Sequence, residues 1–430
     1  AGPLTTLIAW GLDDETHDLA VRLMRITTGG VGVLVLSAWC LGILNSHRRF
    51  FLSYVAPVLW NAAQIIALVM VGLFAWSAVD GIVVVAWAVL VGSLAQFLVQ
   101  LPTVRGLLGS IDINLDWRAT NTRTVIRRFT PTLLGRGVVQ ISAFIDLGLA
   151  SFLAAGAIGS VAYAQTLYLL PISLFAMSVA AAELPELSRE QHDDARLAER
   201  ADRGQRRIAF FLVFTSVAYF AVGDSIVAAL LQRGKFSADN TLVVWFILAT
   251  MALGLPAIGS SRLLQNVLYA KGETRAPAMI ALVRVVVASS TALALMFPFD
   301  GLAVVGRTIQ SLDDAQLAGF EQPLRLGALG LAIGITVASW TEFVLLTKLA
   351  TKRVNGFRSP IWNLGALAIP ASLSFLLMAA LKLALEPVPN LVAAPMLLFA
   401  GGFAYTVLCF RRGIAESELV LKPLRKIIWR

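Results

Sequence analysis

The stretch GIVVVAWAVLVGSLAQFLVQLP, Gly81 to Pro102, runs for 22 residues without a charge, between Asp80 and Arg105. As a helix rising about 1.5 Å per residue it would be about 33 Å long, close to the thickness of a bilayer's hydrocarbon core. Its apolar residues do not alternate with polar ones, so it does not read as a strand of a membrane barrel. A helix satisfies its own backbone in lipid and is the element left. Working outward from it, the same kind of run recurs between polar punctuation. Eleven candidate spans result, roughly 20–44, 54–76, 80–103, 131–153, 157–182, 207–231, 240–269, 276–298, 326–348, 361–385 and 391–410, after an apolar remnant at 1–11. The fold class expected is all-α, a polytopic transmembrane helical bundle. The composition agrees: 58% of the 430 residues are apolar, 14% are charged, and the mean hydropathy is +0.77. A soluble domain carries about 25% charged residues. Disorder, a soluble α/β enzyme and a secreted disulfide scaffold are excluded, the last because Cys40 and Cys409 both sit in apolar runs. The chain opens on Ala1 within an apolar stretch, so its natural N-terminus is expected further upstream.

Lysine and arginine set the orientation. One set of connectors is His47–Arg49, Arg105–Arg128, Arg189–Arg207, Lys271–Arg275, Lys348–Arg358 and Arg411–Arg430, and it holds 25 Lys and Arg. The alternate connectors (12–18, 77–80, 154–156, 232–239, 299–325 and 386–390) hold 4. The positive-inside rule makes the first set cytoplasmic, together with the C-terminus. Two cytoplasmic connectors read as interfacial helices. In Asp116–Thr130, apolar Trp117, Ile126 and Phe129 alternate with arginines, and Glu186–Arg207 is dense in both signs. Anionic membrane lipids are the expected partners of these basic segments. The outer connector 299–325 is long and mildly polar, and its role is unreadable.

Charges within spans are costly, on the order of 2.5–3.5 kcal/mol each at the bilayer centre, so they point to function. They are Arg136 and Asp146 in 131–153, Arg262 in 240–269, Arg284 in 276–298 and Glu342 in 326–348, with Asp224 and Lys382 near helix ends. Gln140 lies one turn from Arg136 on the same helix face. Arg136, Gln140, Arg262 and Arg284 are the candidate substrate-binding residues, although Arg136 could snorkel to the cytoplasmic side and Arg262 could anchor its helix. Asp146 and Glu342 are the candidate ion-coupling residues, with pairing to a neighbour as the alternative for each. No enzyme is expected. His17, His47 and His192 are scattered over connectors, and neither an HExxH pair nor a nucleotide-binding Walker loop occurs. No resident metal or cofactor is expected, only a coupling cation, and no nucleic-acid partner. Pro57, Pro171, Gly29–Gly30 and Gly135/Gly137 are candidate bending points, with packing as the alternative role of each glycine.

Several motifs in order resemble one family. Gly42-Ile-Leu-Asn45-Ser-His-Arg-Arg-Phe50-Phe, followed by Ala56-Pro57 and Asn61, is similar to the first inner helix–loop–helix of the MurJ/MviN lipid II flippases, of the MOP exporter superfamily. Gln140-Ile-Ser, Asp146 and Ala150-Ser151-Phe-Leu resemble that family's seventh helix, and Tyr163-Ala164, Leu170-Pro171 and Leu184-Pro185-Glu-Leu-Ser188 its eighth. Leu231-Gln-Arg-Gly-Lys-Phe236 resembles an outer loop, and Tyr269-Ala-Lys-Gly272-Glu-Thr-Arg275-Ala-Pro277 the turn before the eleventh helix.

The resemblance implies two pseudo-symmetric lobes and two extra C-terminal helices. The implied division is 1–103 for the rest of an N-lobe, 104–130 for an amphipathic linker, 131–349 for a C-lobe and 350–430 for the extra helices and a basic tail. It implies a flippase of the bacterial cytoplasmic (inner) membrane. This would carry lipid II, the undecaprenyl-pyrophosphate-linked peptidoglycan precursor, to the outer leaflet by alternating access on a cationic cavity. An ion gradient or the membrane potential would drive it, and cell-wall synthesis proteins are further candidate partners. Two departures stand out. The family's eighth-helix arginine is replaced in the stretch holding Gln165 and Thr166, and Arg136 is the candidate to supply that charge. Some members bind sodium, and Asp146 matches a seventh-helix ligand, but 288–292 offers only Ser289, Ser290 and Thr291 from the eleventh. Sodium or a proton therefore stays open as the coupling ion. So do another polysaccharide-lipid or drug exporter and a non-transporting scaffold for cell-wall assembly.

Overall fold

In the computed structural model the described residues are 2–8, 11–109, 143–154, 156–313, 324–358 and 361–422. The chain forms two compact units, Ala1–Thr132 and Leu133–Arg430. Among the described residues nine helices are long and apolar enough to cross a membrane, or ten when one bent pair counts as a span. The expected span 131–153 falls mostly outside the described residues, as do Arg136, Gln140 and the connector 116–130. The protein is a multi-pass helical membrane protein.

In the first unit, α1 (Gly2–Ile8) precedes three long helices, α2 (Asp14–Ser46), α3 (Phe50–Leu73) and α4 (Ala78–Leu108). Asp13 caps α2 by accepting from the Thr16 N–H at 3.1 Å, and Ser77 caps α4 through the Asp80 N–H. Helices pack in lipid through small residues and buried hydrogen bonds, because lipid tails are as apolar as leucine. Accordingly, Ser37 on α2 accepts from both Gln96 and Gln100 of α4 at 2.9 Å. A Cβ on Gly92 of α4 would lie 3.0 Å from the Trp60 backbone of α3, so a larger residue there would push the two helices apart. Pro57 sits inside an unbroken α3.

In the second unit the first described residues are helical, 143–150, here α5. α6 (Ala157–Pro171), a π-helical turn (Ile172–Met177) and α7 (Ser178–Arg189) then form one rod. The wide turn follows Pro171, whose ring displaces the regular ladder. α8 (Asp194–Leu231) is the central element, with Ile208, Leu212, Val222 and Val227 fully buried. The expected interfacial helix at 186–207 is not a separate element. Its residues are the end of α7 and the first turns of α8, and their charges pair with one another and with Glu183 and Glu416. Arg200 reaches Glu183 at 2.9 Å and Glu186 at 3.2 Å, and Arg206 reaches Glu416 at 3.4 Å. The two signs are interleaved so that intramolecular carboxylates take guanidinium groups that lipid phosphates would otherwise attract.

The single span expected at 240–269 is two helices, α9 (Ala238–Ala252) and α10 (Leu255–Ala270), bent by 44°. Pro256 cannot donate to the ladder and takes an early position in the new helix. The carbonyls released at the break all find donors. Thr336 Oγ1 donates to Thr250 O at 2.7 Å, Ser216 Oγ to Ala252 O at 2.6 Å, and Trp340 Nε1 to Leu253 O at 3.0 Å.

α11 (Arg275–Asp300) leads into a three-stranded sheet, β1 (Leu302–Val305), β2 (Thr308–Ser311) and β3 (Leu324–Arg325), in the order β2-β1-β3. Both pairings are antiparallel. This small sheet lies within the connector 299–325, outside the helical reading. α12 (Ala328–Arg353) returns against α11, and Cβ atoms on its Gly330 and Gly334 would sit 2.5 Å from the backbone of Met296 and Ala288. α13 (Ile361–Ala384) and α14 (Asn390–Arg411) pack on α8, where buried Tyr405 donates to Phe210 O at 2.9 Å.

Candidate functional site

Four helices bring intramembrane charges to one place in the second unit. A cavity of about 510 Å³ opens among them, lined by Asp146 of α5, Gln165 and Tyr168 of α6, Arg262 of α10 and Arg284 of α11. The rest of its wall is apolar, including Leu169, Ile258 and Ile335. Polar groups in a mostly apolar wall are the ordinary makeup of a ligand site.

The charges form a chain across three helices. Arg262 Nη1 makes a long 3.5 Å contact with Gln265 Oε1, one turn on along α10. Gln265 Nε2 donates to Glu342 Oε1 of α12 at 3.0 Å. The other carboxylate oxygen, Oε2, faces Arg284 Nε at 3.4 Å. Glu342 is 1% exposed, and a carboxylate so deeply buried calls for partners of this kind. Asp146 lies across the cavity, with Arg284 as its charged neighbour. Tyr168 is buried beside Ser339, beneath the same group of charges.

Of the six residues singled out in the sequence, Asp146, Arg262, Arg284 and Glu342 converge here, while Arg136 and Gln140 lie outside the described residues. The two guanidinium groups are not equivalent. Arg284 is flanked by two carboxylates, whereas Arg262 is the guanidinium of the two that has no ion pair within 4 Å among the described residues. The sequence reading missed Gln265, whose signal was its position three residues after Arg262 on the same helix face.

The residues described do not fit a sodium site at Asp146. Its charged neighbour is a guanidinium, which would repel a cation, and Ser289 and Ser290 turn their hydroxyls onto Val285 O and Val286 O. Among the described residues no group of three His, Cys, Asp or Glu could hold a metal ion. The other charges within spans, Asp224 and Lys382, pair with each other at 2.6 Å, away from this cavity.

The family model described as "Lipid II flippase MurJ" matches residues 1–309. A probable lipid II flippase MurJ of Rhizobium tropici is 33% identical over 289 residues, 66% of this chain and 54% of that protein. One of Rhizobium meliloti is 33% identical over 309 residues, 70% of this chain and 56% of that protein. One of Bdellovibrio bacteriovorus is 30% identical over 354 residues, 80% of this chain and 66% of that protein. The chain therefore spans about half the length of the first two of these relatives. A solved structure described as lipid II flippase MurJ in an inward closed conformation aligns with a TM-score of 0.71 at 21% identity, over 97% of this chain and 78% of that one, and so shares the fold. With the family model covering its first 309 residues, the chain belongs to the MurJ lipid II flippase family.

Proposed function

We propose that the chain works as a flippase for a lipid-linked, pyrophosphate-bearing headgroup, and that this headgroup is lipid II, as in the names of its relatives. The observation that carries the reading is the pair of arginines, Arg262 and Arg284, in one membrane-embedded cavity beside Gln165. Guanidinium groups bind phosphate oxygens with two parallel hydrogen bonds, and a low-dielectric wall strengthens that contact. The headgroup would seat on Arg262 first, because Arg284 is engaged by Glu342 at 3.4 Å. The lipid tail would stay in the bilayer while alternating access exposes the cavity to each side in turn. An ion gradient or the membrane potential would supply the energy. The potential contributes about 2.3 kcal/mol per charge per 100 mV, enough to bias a cycle that moves one or two charges.

The charge asymmetry supports a place in the bacterial cytoplasmic membrane with the C-terminus inside. The family reading supports lipid II as the partner, and cell-wall synthesis proteins as neighbours. No chemical step on the substrate is proposed.

The test is expression of the full chain in cells depleted of their own lipid II flippase, with outer-leaflet lipid II read by its accessibility to an external probe. Restored exposure is expected, lost in Arg262→Ala at unchanged membrane abundance. No restoration by the unsubstituted chain, or full activity of Arg262→Ala, overturns the proposal.

A further inference from the structure

A second cavity, of about 360 Å³, lies on the side of the second unit that the charge asymmetry assigns to the outside. Its wall joins the end of α8, the start of α9, the β1–β2 hairpin and the α13–α14 connection. Within it the Asp224 carboxylate accepts from Lys382 Nζ at 2.6 and 2.7 Å, and the ammonium lies 5.7 Å from the Trp245 ring centroid. A kink prepares that pair. Val222 leaves helical geometry at φ −133° and ψ 16°, and Tyr219 O, which an unbroken helix would offer to Gly223, accepts from Trp245 Nε1 at 3.0 Å. Asp224 and Lys382 therefore neutralise each other.

Two further charges line the cavity, Arg307 and Glu386. Both are exposed, and neither makes an ion pair among the described residues. Arg307 is unusual on two counts. It is one of only four Lys or Arg in the connectors assigned outside, and of the others Arg325 is paired with Asp300 at 3.0 Å. It also occupies a backbone position that favours glycine. Gly306 and Arg307 form the two-residue turn between Val305 and Thr308, with φ of 55° and 65°. Such a hairpin turn needs the left-handed region at both central residues, and its second position is usually glycine. The strained turn is pinned by Asp239 of α9, whose carboxylate accepts from the Gly306 N–H at 3.1 Å and the Arg307 N–H at 2.9 Å. A glycine would suit the backbone better, yet an arginine is held there, over a cavity. Backbone strain held in place by its surroundings clusters at functional sites, which directs attention to the Arg307 side chain.

We propose that this outer cavity binds a zwitterion, a ligand carrying both a carboxylate and an ammonium such as a free peptide, with Arg307 taking the carboxylate and Glu386 the ammonium. A simple anion would meet Glu386, and a bare cation would meet Arg307, whereas a ligand of both signs matches both. The site is separate from the Arg262 cavity, so the inference does not depend on the transport reading.

The test is equilibrium dialysis of radiolabelled alanyl-alanine against the purified full chain in nanodiscs. Saturable binding is expected. N-acetyl-alanyl-alanine and alanyl-alanine amide, each with one charge blocked, should compete less well by about tenfold or more, the loss of one charge-assisted contact. Arg307→Gly and Glu386→Gln should each weaken binding by a similar factor of about ten or more, and Arg262→Ala should leave it unchanged. Arg307→Gly separates a binding role from a structural one, since it removes the guanidinium while relaxing the turn. Its unfolding midpoint should equal or exceed that of the unsubstituted chain. Absence of saturable binding, equal competition by the blocked peptides, or undiminished binding by Arg307→Gly overturns the proposal.

Discussion

Glu342→Gln tests how the charges in the Arg262–Arg284 cavity are balanced. The Glu342 side chain is 2% exposed and the Arg284 side chain 19%, with Nε and Oε2 3.4 Å apart. The amide preserves shape and can still accept from Gln265, so the change removes charge and little else. Arg284 then loses its buried counter-ion. Breaking one side of a buried pair costs about 3–5 kcal/mol, and we take the lower end because Asp146 still faces Arg284. The second unit, Leu133–Arg430, is roughly 300 residues long. With an unfolding entropy of about 2.1 cal/mol/K per residue, a loss of about 3 kcal/mol lowers its midpoint by about 5 °C. Replacing both members by methionine should recover most of that loss, since removing a whole pair is near neutral. The assay is thermal unfolding in one detergent of the purified chain, of Glu342→Gln, and of the double-mutant cycle made by Glu342→Met, Arg284→Met and the double methionine variant. A Glu342→Gln midpoint within error of the unsubstituted chain refutes the reasoning. So does a double variant that loses the sum of its two parents.

Gly334→Ala should destabilise the chain by about 2 kcal/mol, because the new methyl meets Ala288 O at 2.5 Å and overrides the alanine's better helix propensity; chemical unfolding measures it. Tyr405→Phe should cost about 1 kcal/mol in the same assay, through the bond lost to Phe210 O. Asp194, in the first turn of α8 outside the membrane, accepts from Lys271 Nζ at 2.8 Å and the Asn355 N–H at 3.0 Å. Led by the Lys271 bond, these hold its carboxyl below the usual carboxylate value of 3.8. Its contribution to stability is therefore complete above that value and is lost as pH falls below it, toward the folded-state pKa. In unfolding midpoints followed through acid pH, Asp194→Asn should flatten this part of the profile.

Hydropathy made the spans legible because burial in lipid leaves no choice of element, and the intramembrane charges stood out because each is expensive. It was blind to what happens inside a span. The run at 240–269 is apolar throughout, so a window average passes over the break that Gly254 and Pro256 impose. The outer sheet escaped because its strands are four residues or fewer and pair with one another instead of crossing a membrane. At the cavity, the types of the charged residues were readable but not their partners. That Glu342 meets Arg284 of α11, and Gln265 of α10, depends on how α10, α11 and α12 pack, and no spacing along the chain records it.

The elbow at Leu253 has a mechanical consequence. A broken helix is often taken as a joint, but here each loose carbonyl is clasped by a side chain from α8 or α12. Straightening or unwinding it would break three hydrogen bonds, and the one at Ala252 O, which is buried, would cost about 1–3 kcal/mol if left unmade. The bend is therefore a weld, and motion that serves the second unit must carry α8, α9, α10 and α12 together as one block.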